Sequence, residues 1–219
     1  MVVPILQGPL RGKKWIVGSS RHGCWIGSYE LEKQRAFYEA VRPGDVVYDI
    51  GANVGFYSLL ASVRVGPKGH VFCFEPLSEN LTDLRKHIAI NHLANCEVIE
   101  AAVSSVDGAA RFDSSRPRSM GWLSKSGNQA VRTVCLDTLV RSKITLPPNV
   151  LKIDVEGAEA DALRGCAQTL AAHPCIIFLA THGPAAHSQC IHFLTERKYK
   201  IQSLNSLSVD RSDELLAVP

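Results

Sequence analysis

The sequence has few of the features that mark membrane, secreted or nucleic-acid-binding proteins. It has no apolar run of the roughly 18 residues that a membrane helix needs, and its N-terminus has neither a basic start nor an adequate apolar run for a signal peptide. No two of the seven cysteines have C-x-x-C spacing, so a structural zinc site is not expected. The net charge of +3 comes without a dense basic run, and it neither indicates nor excludes nucleic-acid binding.

Length and composition are those of an ordinary globular protein. The 219 residues are 46% hydrophobic and 21% charged, which is enough to bury a sizeable core in one domain. We expect a cover segment and helix over residues 1–44 and a core over residues 45–219. Because the number of cysteines is odd, and Cys73 and Cys166 fall at apolar positions, we expect buried thiols in a reducing compartment, the cytoplasm.

One stretch, residues 46–57, organises the rest of the chain. Residues 46–50 are mostly β-branched, aromatic or aliphatic, as a parallel strand covered on both faces requires. Gly51 and Gly55 allow a sharp turn and a close approach of the backbone to a ligand. The next apolar positions repeat with a helical period, namely Phe56, Leu59, Leu60 and Val63. The helix N-terminus is therefore expected to face a ligand above the turn.

The pattern of this turn favours a cationic cofactor over a dinucleotide. A dinucleotide fingerprint counted from Gly51 would need glycines where Asn53 and Phe56 stand, and no P-loop lysine follows. Asp49, two residues before the first glycine, would repel a pyrophosphate and attract an ammonium or a sulfonium. S-adenosylmethionine carries both cationic groups, so we expect it as the cofactor.

An acid also ends the next predicted strand, where residues 70–74 run into Glu75 and Pro76. An acid at the carboxyl end of the second strand can accept both ribose hydroxyls of an adenosine cofactor. The alternative for the two acids is an ordinary α/β core in which Asp49 caps a turn and Glu75 is solvated.

Other parts of the chain are expected to complete the cofactor site. Ala101 and Ala102 end a predicted strand over residues 97–103 and leave room for a flat ring. A predicted helix over residues 28–41 would place its first residues over the cofactor mouth, unless it only packs on the core. The residues expected to bind the cofactor are Asp49, Gly51, Ala52, Asn53, Gly55, Tyr57, Glu75, Pro76, Ala101, Ala102, Tyr29, Glu30 and Asp154.

A second strand, turn and helix over residues 150–159 carries the predicted chemistry. Asp154 and Glu156 fall at the carboxyl end of that strand, and Lys152 lies within it. In an open α/β sheet the reacting atoms lie in this crevice, where acids can take a proton from a hydroxyl or hold a cation. Glu159, one helical turn further on, could cap or order Glu156. The alternative is a salt-linked turn between Lys152 and these acids.

His182 follows the next predicted strand, residues 175–180, at the same edge of the sheet. A histidine at a strand end can act as a general base near neutral pH, although a lone histidine is more often structural. The predicted catalytic group is therefore Asp154, His182, Glu156 and Lys152. No metal ligand is predicted, and a metal-assisted reaction at Asp154 and Glu156 stays open as an alternative.

The least regular part of the sequence is residues 113–129, which are rich in Ser, Gly and Pro. Long loops in compact domains often bind ligands, so we expect Arg116, Arg118 and Trp122 to contact the substrate. The alternative is a disordered surface loop.

Three motifs together resemble the FkbM family of S-adenosylmethionine-dependent methyltransferases. They are Asp-Ile-Gly-Ala-Asn-Val-Gly-Phe-Tyr from Asp49, Phe-Glu-Pro from Phe74, and Leu-Lys-Ile-Asp-Val-Glu-Gly-Ala-Glu from Leu151. Residues 25–30 and 134–139 also resemble family segments. One departure is Ala180, because the family often carries an acid two residues before the final histidine.

The resemblance implies an α/β class I methyltransferase fold. We expect a mostly parallel seven-stranded, Rossmann-like sheet with helices on both faces and an antiparallel C-terminal pair. The implied activity is O-methylation of a small molecule, a sugar or another natural product, with Asp49, Gly51, Asn53 and Glu75 as cofactor contacts and Asp154 as an active-site acid. The expected partner is a small-molecule acceptor; a membrane and nucleic acid are not expected, and the oligomeric state is open. The alternatives are a protein that binds the cofactor without turnover and an RNA methyltransferase.

Overall fold

The structure is a computed structural model that describes residues 1–113, 122–123, 127, 129–205 and 207–219. Its strands are β1 Val2–Pro4, β2 Lys14–Ile16, β3 Val46–Ile50, β4 His70–Phe74, β5 Cys96–Ile99, β6 Ala102–Val103, β7 Gly108–Asp113, β8 Trp122–Leu123, β9 Gln129–Val134, β10 Val150–Ile153, β11 Ile176–Ala180, β12 Lys200–Ser203 and β13 Glu214–Val218. Its α-helices are α1 His22–Ile26, α2 Leu31–Ala40, α3 Phe56–Val65, α4 Ser78–Ile90, α5 Leu136–Arg141, α6 Glu159–Arg164, α7 Ala167–Ala172 and α8 Pro184–Glu196. In this part of the chain, no helix is long and apolar enough to span a bilayer.

The central sheet has seven strands in the order β12-β13-β11-β10-β3-β4-β5. Strands β5, β4, β3, β10 and β11 are parallel, whereas β13 runs antiparallel to both β11 and β12. This arrangement confirms the expected mostly parallel sheet with an antiparallel C-terminal pair. Ile50 is in register with Phe74 on one side and with Ile153 on the other. The residues that follow these three strands therefore meet at one edge of the sheet.

Both faces of the sheet are covered, which explains why its inner strands are almost continuously apolar. On one face, Tyr48 and Ile50 pack in a cluster with Leu163 of α6 and Leu194 of α8. On the other face, Val47 packs with residues of α3 and α4 and with residues from the first part of the chain, namely Ile5, Leu10, Trp15, Phe37 and Val41. Residues 1–44 thus share a core with the sheet.

His87 of α4 ties this first part of the chain to the turn after β3. Its Nε2 accepts the Ile16 backbone N–H at 3.0 Å, so the proton is on Nδ1, which lies 2.7 Å from the Val54 carbonyl oxygen. The ring also stacks on Trp15, with 3.9 Å between the ring centroids. Burial lowers the pKa of His87 and keeps the imidazole neutral.

The predicted strand over residues 97–103 is wrong as a single element. It divides into β5, at the edge of the central sheet, and β6, which pairs with β9 in a second sheet of order β6-β9-β7-β8. The chain can leave the edge of the central sheet after Ile99 because Ala102 and Val103 find new partners in Thr133 and Val134. The predicted helix over residues 28–41 is shorter than expected, since α2 begins at Leu31.

Candidate active site

A cavity of about 350 Å³ opens at the carboxyl edge of the parallel strands. Its wall is built from the turn after β3, the ends of β4, β10 and β11, and the segment before α2. Most residues that the sequence predicts for the site lie around it, namely Tyr29, Glu30, Gly51, Ala52, Asn53, Tyr57, Glu75, Pro76, Ala101, Ala102, Lys152, Asp154, Glu156 and His182. Two separate parts of the prediction, the cofactor residues and the catalytic residues, therefore share one cavity.

Glu75 is held by three hydrogen bonds at the end of β4. Its carboxylate accepts the backbone N–H groups of Asn53 at 2.8 Å and Leu77 at 3.0 Å, and the side-chain amide of Asn80 at 3.1 Å. Burial raises the pKa of Glu75, and these hydrogen bonds oppose that effect only in part. Glu75 is 4% exposed, and the bond to Asn53 couples it to the glycine turn after β3.

Asp49 lies elsewhere than expected. It is fully buried below the cavity, and among the described residues it does not belong to the cavity wall. Its Oδ2 accepts the Ser58 hydroxyl at 2.6 Å, and its Oδ1 lies 3.1 Å from the Lys152 ammonium. Side chains alternate along a strand, so Asp49 points with Val47 toward the α3 face. The expected direct contact of Asp49 with a cofactor is therefore replaced by a contact with Lys152.

The two glycines of the turn are required by the fold. Gly51 has a φ of 76°, and an added Cβ would collide with the carbonyl oxygen of Asp154. Gly55 has a φ of 96°, and its Cβ would meet the side chain of Leu84 in α4. Gly51 borders the cavity, but Gly55 is not part of the described cavity wall. Gly55 was expected to lie close to a ligand. In the structure it lies close to α4.

Lys33 of α2 is a buried cation beside the cavity that the sequence analysis did not identify. Its Nζ lies 2.8 Å from Glu214, 3.5 Å from Glu30 and 3.9 Å from Asp154. Burial favours a lower pKa for Lys33, but Asp154, Glu214 and Glu30 outweigh burial and raise it. The Tyr57 hydroxyl donates to Glu30 at 2.8 Å, which links α3 to the residue that precedes α2.

Asp154 lies between two groups of charges at the end of β10. Its Oδ2 is 3.9 Å from each of Lys33 and Lys152, and its Oδ1 is 3.8 Å from His182 Nε2. Burial alone would raise the pKa of Asp154, but these three cationic groups lower it. Asp154 is therefore an ionised carboxylate with weak basicity.

His182 is paired with a buried carboxylate. Its Nδ1 lies 2.7 Å from Glu159 Oε1, and its Nε2 lies 3.5 Å from Glu156 Oε2. The hydrogen bond with Glu159 is the largest cause that raises the pKa of His182 to about 9. At neutral pH the ring is therefore the positively charged imidazolium. This state differs from the expected histidine base that titrates near pH 7.

Glu159 orders His182 and the turn before α6. Its Oε1 accepts the Gly157 N–H at 2.8 Å in addition to facing His182. The expected contact of Glu159 with Glu156 is not among the hydrogen bonds of the described residues. Ala180, where the resembling family often has an acid, borders the cavity and is in register with Glu214 of β13.

The predicted substrate residues fall on the part of the chain around residues 113–129. Arg116 and Arg118 lie outside the described residues, and so does the side chain of Trp122, whose backbone belongs to β8.

The cavity wall is predominantly acidic in the described part of the chain. Its carboxylates outnumber its cationic groups, which are Arg21, Lys152 and His182. The carboxylates are Glu30, Glu75, Asp154, Glu156, Asp213 and Glu214. Such a wall suits a ligand that carries positive charge.

Solved structures identify the class of fold. The chain superposes on the methyltransferase FkbM of Methylobacillus flagellatus with a TM-score of 0.57 and 18% identity, over 91% of this chain and 56% of that one. It superposes on Aeropyrum pernix fibrillarin, solved with natively bound S-adenosyl-L-methionine, with a TM-score of 0.53 and 14% identity, over 82% and 68% of the two chains. The fold is that of the class I methyltransferases.

Residues 49–201 match the family model of the methyltransferase FkbM domain, and the chain belongs to that family. One relative is the hexuronic acid methyltransferase AglP of Haloferax volcanii, 31% identical over 145 residues, which are 64% of this chain and 58% of AglP. Another is the 31-O-demethyl-FK506 methyltransferase FkbM of Streptomyces tacrolimicus, 39% identical over 72 residues, which are 33% of this chain and 27% of that protein. The matched regions are thus only part of the length of these curated relatives.

Proposed function

We propose that this protein is an S-adenosylmethionine-dependent methyltransferase that acts on a hydroxyl group of a small molecule, a sugar or another natural product. The observation that carries the proposal is the shared cavity, in which the acid after β4 and the acid–histidine cluster after β10 and β11 face one space. Family membership supports methyl transfer, and two relatives are named for a hexuronic acid and for 31-O-demethyl-FK506, which supports a sugar or another natural product as the acceptor.

The residues of the cavity fit the proposed cofactor. Glu75 is fixed in position by three donors, and its carboxylate can accept further hydrogen bonds from ribose hydroxyls. The acidic wall suits the ammonium and the sulfonium. Ala101 and Ala102 border the cavity with small side chains that leave space for an adenine ring.

The cluster after β10 and β11 would act on the acceptor. S-adenosylmethionine, when bound, supplies a methyl group whose bond to sulfur breaks, with the electron pair kept by sulfur, as the bond to the acceptor oxygen forms. The chain has to align the acceptor and remove its hydroxyl proton. We assign both tasks to Asp154, Glu156 and His182, which border the same cavity as Glu75. The proton would pass from the acceptor oxygen to Glu156, whose pKa is raised by burial, and then to solvent.

The experiment that tests the proposal is transfer of a labelled methyl group to a panel of hydroxyl compounds. The panel includes neutral sugars, hexuronic acids and macrolide alcohols, each incubated with labelled S-adenosylmethionine and the full chain. We expect one class to become labelled, and Asp154→Ala to reduce the rate far more than the affinity for the cofactor. Equal activity of that variant would remove Asp154 from the mechanism.

A second candidate is a protein that binds S-adenosylmethionine without turnover. It is supported by the state of the two proposed bases, because Asp154 is weakly basic and His182 is already protonated at neutral pH. Cofactor binding without transfer to any acceptor class would favour this candidate. The acidic wall gives little support to a phosphate-rich acceptor such as RNA.

A further inference from the structure

We propose that Asp154, Glu156 and His182 bind one divalent metal ion inside the cavity. Each of the three residues offers one donor atom, and these three atoms all lie within 4.8 Å of one another. Nε2 of His182 is 3.8 Å from the Asp154 oxygen and 3.5 Å from the Glu156 oxygen. The inference rests on the proposed function, because it assigns a cation to the cluster that faces the acceptor.

These separations fit a shared ion. Two ligands at about 2.1 Å from one ion lie about 3.0 Å apart at a right angle and about 3.4 Å apart at a tetrahedral angle. The observed 3.5 Å and 3.8 Å between His182 Nε2 and the two carboxylates exceed the tetrahedral value by only a few tenths of an ångström, and the three donors can close around an ion from within their 4.8 Å limit. The side chains of Asp154, Glu156 and His182 are 25%, 27% and 35% exposed, so an ion can reach them from solvent.

The other atoms of Asp154 and His182 are already held by neighbours, so their remaining ligand atoms point at one another, and an ion would displace the proton that Nε2 carries at neutral pH. Asp154 Oδ2 faces Lys33 and Lys152, which leaves Oδ1 toward the histidine. His182 Nδ1 faces Glu159, which leaves Nε2 toward the carboxylates. A carboxylate behind a histidine is the usual support of a metal-binding imidazole, since it fixes the ring orientation.

The local charge balance is an independent reason to expect a cation. Among the described residues, the ion-pair network around the cavity joins the carboxylates of Glu30, Asp49, Asp154, Glu156, Glu159 and Glu214 to two lysines and one histidine, and Arg21 is a further cation of the cavity wall. Glu159 is fully buried, and its Oε2 has no hydrogen-bond partner in the described part of the chain. A buried carboxylate requires positive charge nearby, which the protonated ring of His182 supplies in this structure and which a divalent ion on Nε2 would supply in place of that proton.

Two carboxylates and one imidazole leave several positions of the ion open to the cavity. Mixed oxygen and nitrogen donors suit Mn²⁺, Fe²⁺ and Zn²⁺. An acceptor hydroxyl bound at an open position would lose its proton more easily, because a bound cation lowers the pKa of a coordinated hydroxyl. The ion would thus align the acceptor and favour its ionisation for attack on the methyl group, and the hydroxyl proton would pass to solvent through the open side of the cavity.

The test is titration of the chelator-treated full chain with Mn²⁺ alone, followed by electron paramagnetic resonance and calorimetry. We expect one Mn²⁺ per chain, and at least tenfold weaker binding in Asp154→Asn, Glu156→Gln and His182→Gln. Glu159→Gln should weaken binding by about 10- to 100-fold, as loss of a ligand's supporting carboxylate does elsewhere. The matched control is His192→Gln, because His192 lies 3.3 Å from Glu196 on the exposed face of α8 and should not alter binding.

Absence of Mn²⁺ binding to the wild-type chain would overturn the inference, as would unchanged affinity in all three ligand variants. Glu156 lies in a turn and is partly exposed, so Glu156→Gln tests the site if Asp154→Asn fails to fold. Cofactor binding is measured separately in the presence of chelator. Cofactor binding without metal binding would reject only the metal site, whereas metal binding without cofactor binding would reject the proposed function.

Discussion

Lys152 and Asp49 are direct neighbours on the parallel strands β10 and β3, with 3.1 Å between Nζ and Oδ1. Lys152 also donates to the Gly51 carbonyl oxygen at 2.9 Å, so one ammonium holds both the strand and the turn that follows it. Lys152 Nζ also lies 3.9 Å from Asp154 Oδ2, which continues this link to the cavity. The acid of the glycine motif therefore acts on the site through a lysine, and its first role is structural.

The buried pair predicts a large loss of stability when one partner is removed. Asp49→Ala leaves Lys152 buried without its nearest carboxylate, and the expected loss is about 3–5 kcal/mol in the free energy of unfolding. Urea denaturation measures it. The control is Asp161→Ala, which breaks the exposed pair with Arg164 at 2.7 Å and should lose less than about 1 kcal/mol. Similar losses in both variants would contradict the structural role of Asp49.

Gly51 predicts a second stability difference. Gly51→Ala adds a collision with the Asp154 carbonyl oxygen to the strain of a positive φ. The control Gly44→Ala has a φ of 91° but would meet no atom within 4 Å in the described part of the chain, so it isolates the strain. We expect about 1 kcal/mol for Gly44→Ala and at least about 2 kcal/mol more for Gly51→Ala. Equal denaturation midpoints would show that β3 and β10 can separate at this point.

His87 predicts a dependence of stability on pH. Its pKa is lowered in the folded state, so the neutral ring stabilises the fold fully above the unfolded pKa of about 6.5, and this contribution is lost as the pH falls toward the folded pKa. Thermal unfolding between pH 7.5 and pH 5 should show a smaller decrease in His87→Gln than in the wild type. The exposed His173 is the control, and His173→Gln should keep the wild-type profile. Identical profiles of His87→Gln and the wild type would contradict the neutral buried ring.

Glu75 predicts a selective effect on cofactor affinity. Glu75→Gln removes the charge of the group proposed to accept the ribose hydroxyls, and a charged hydrogen bond contributes about 1.5–3 kcal/mol. We expect calorimetry to show roughly 10- to 100-fold weaker binding of S-adenosylhomocysteine. The control is Glu100→Gln, because Glu100 follows the neighbouring strand β5 and pairs with Arg85 on the surface. Equal loss in both variants would mean that Glu75 has no specific contact.

Sequence patterns located the edge of the sheet where the cavity lies. The apolar runs of β3, β4 and β10 end at Ile50, Phe74 and Ile153, and parallel strands that end in polar residues bring those residues together. The alternation of side chains along β3 could also have predicted the direction of Asp49. Asp49 shares a face of the sheet with Val47 and so points toward α3. The glycine motif that begins at Asp49 instead suggested that this side chain faces the cofactor.

The contacts that sequence patterns could not predict come from elements distant in the chain. Lys33 reaches Glu214 across a separation of 181 residues, and no periodicity encodes how α2 lies over the sheet. The sequence gives a weak indication that Glu214 lies at the site. Glu214 is the first residue of an antiparallel C-terminal strand, and such a residue lies at the carboxyl edge of the neighbouring strand β11. The partner of His182 was missed because Glu159 reaches it from α6 and not from the strand that precedes the histidine.

The central claim is that the cavity above Gly51 and Glu75 binds S-adenosylmethionine. The most direct measurement is a thermal-unfolding scan with S-adenosylmethionine, S-adenosylhomocysteine and NAD in parallel. A ligand at about 100 times its dissociation constant stabilises the folded state by about 2.7 kcal/mol, which corresponds to a shift of several degrees for a chain of this size. We predict a shift with both sulfur nucleosides and none with NAD. A folded sample that shifts with neither sulfur nucleoside would contradict the proposal.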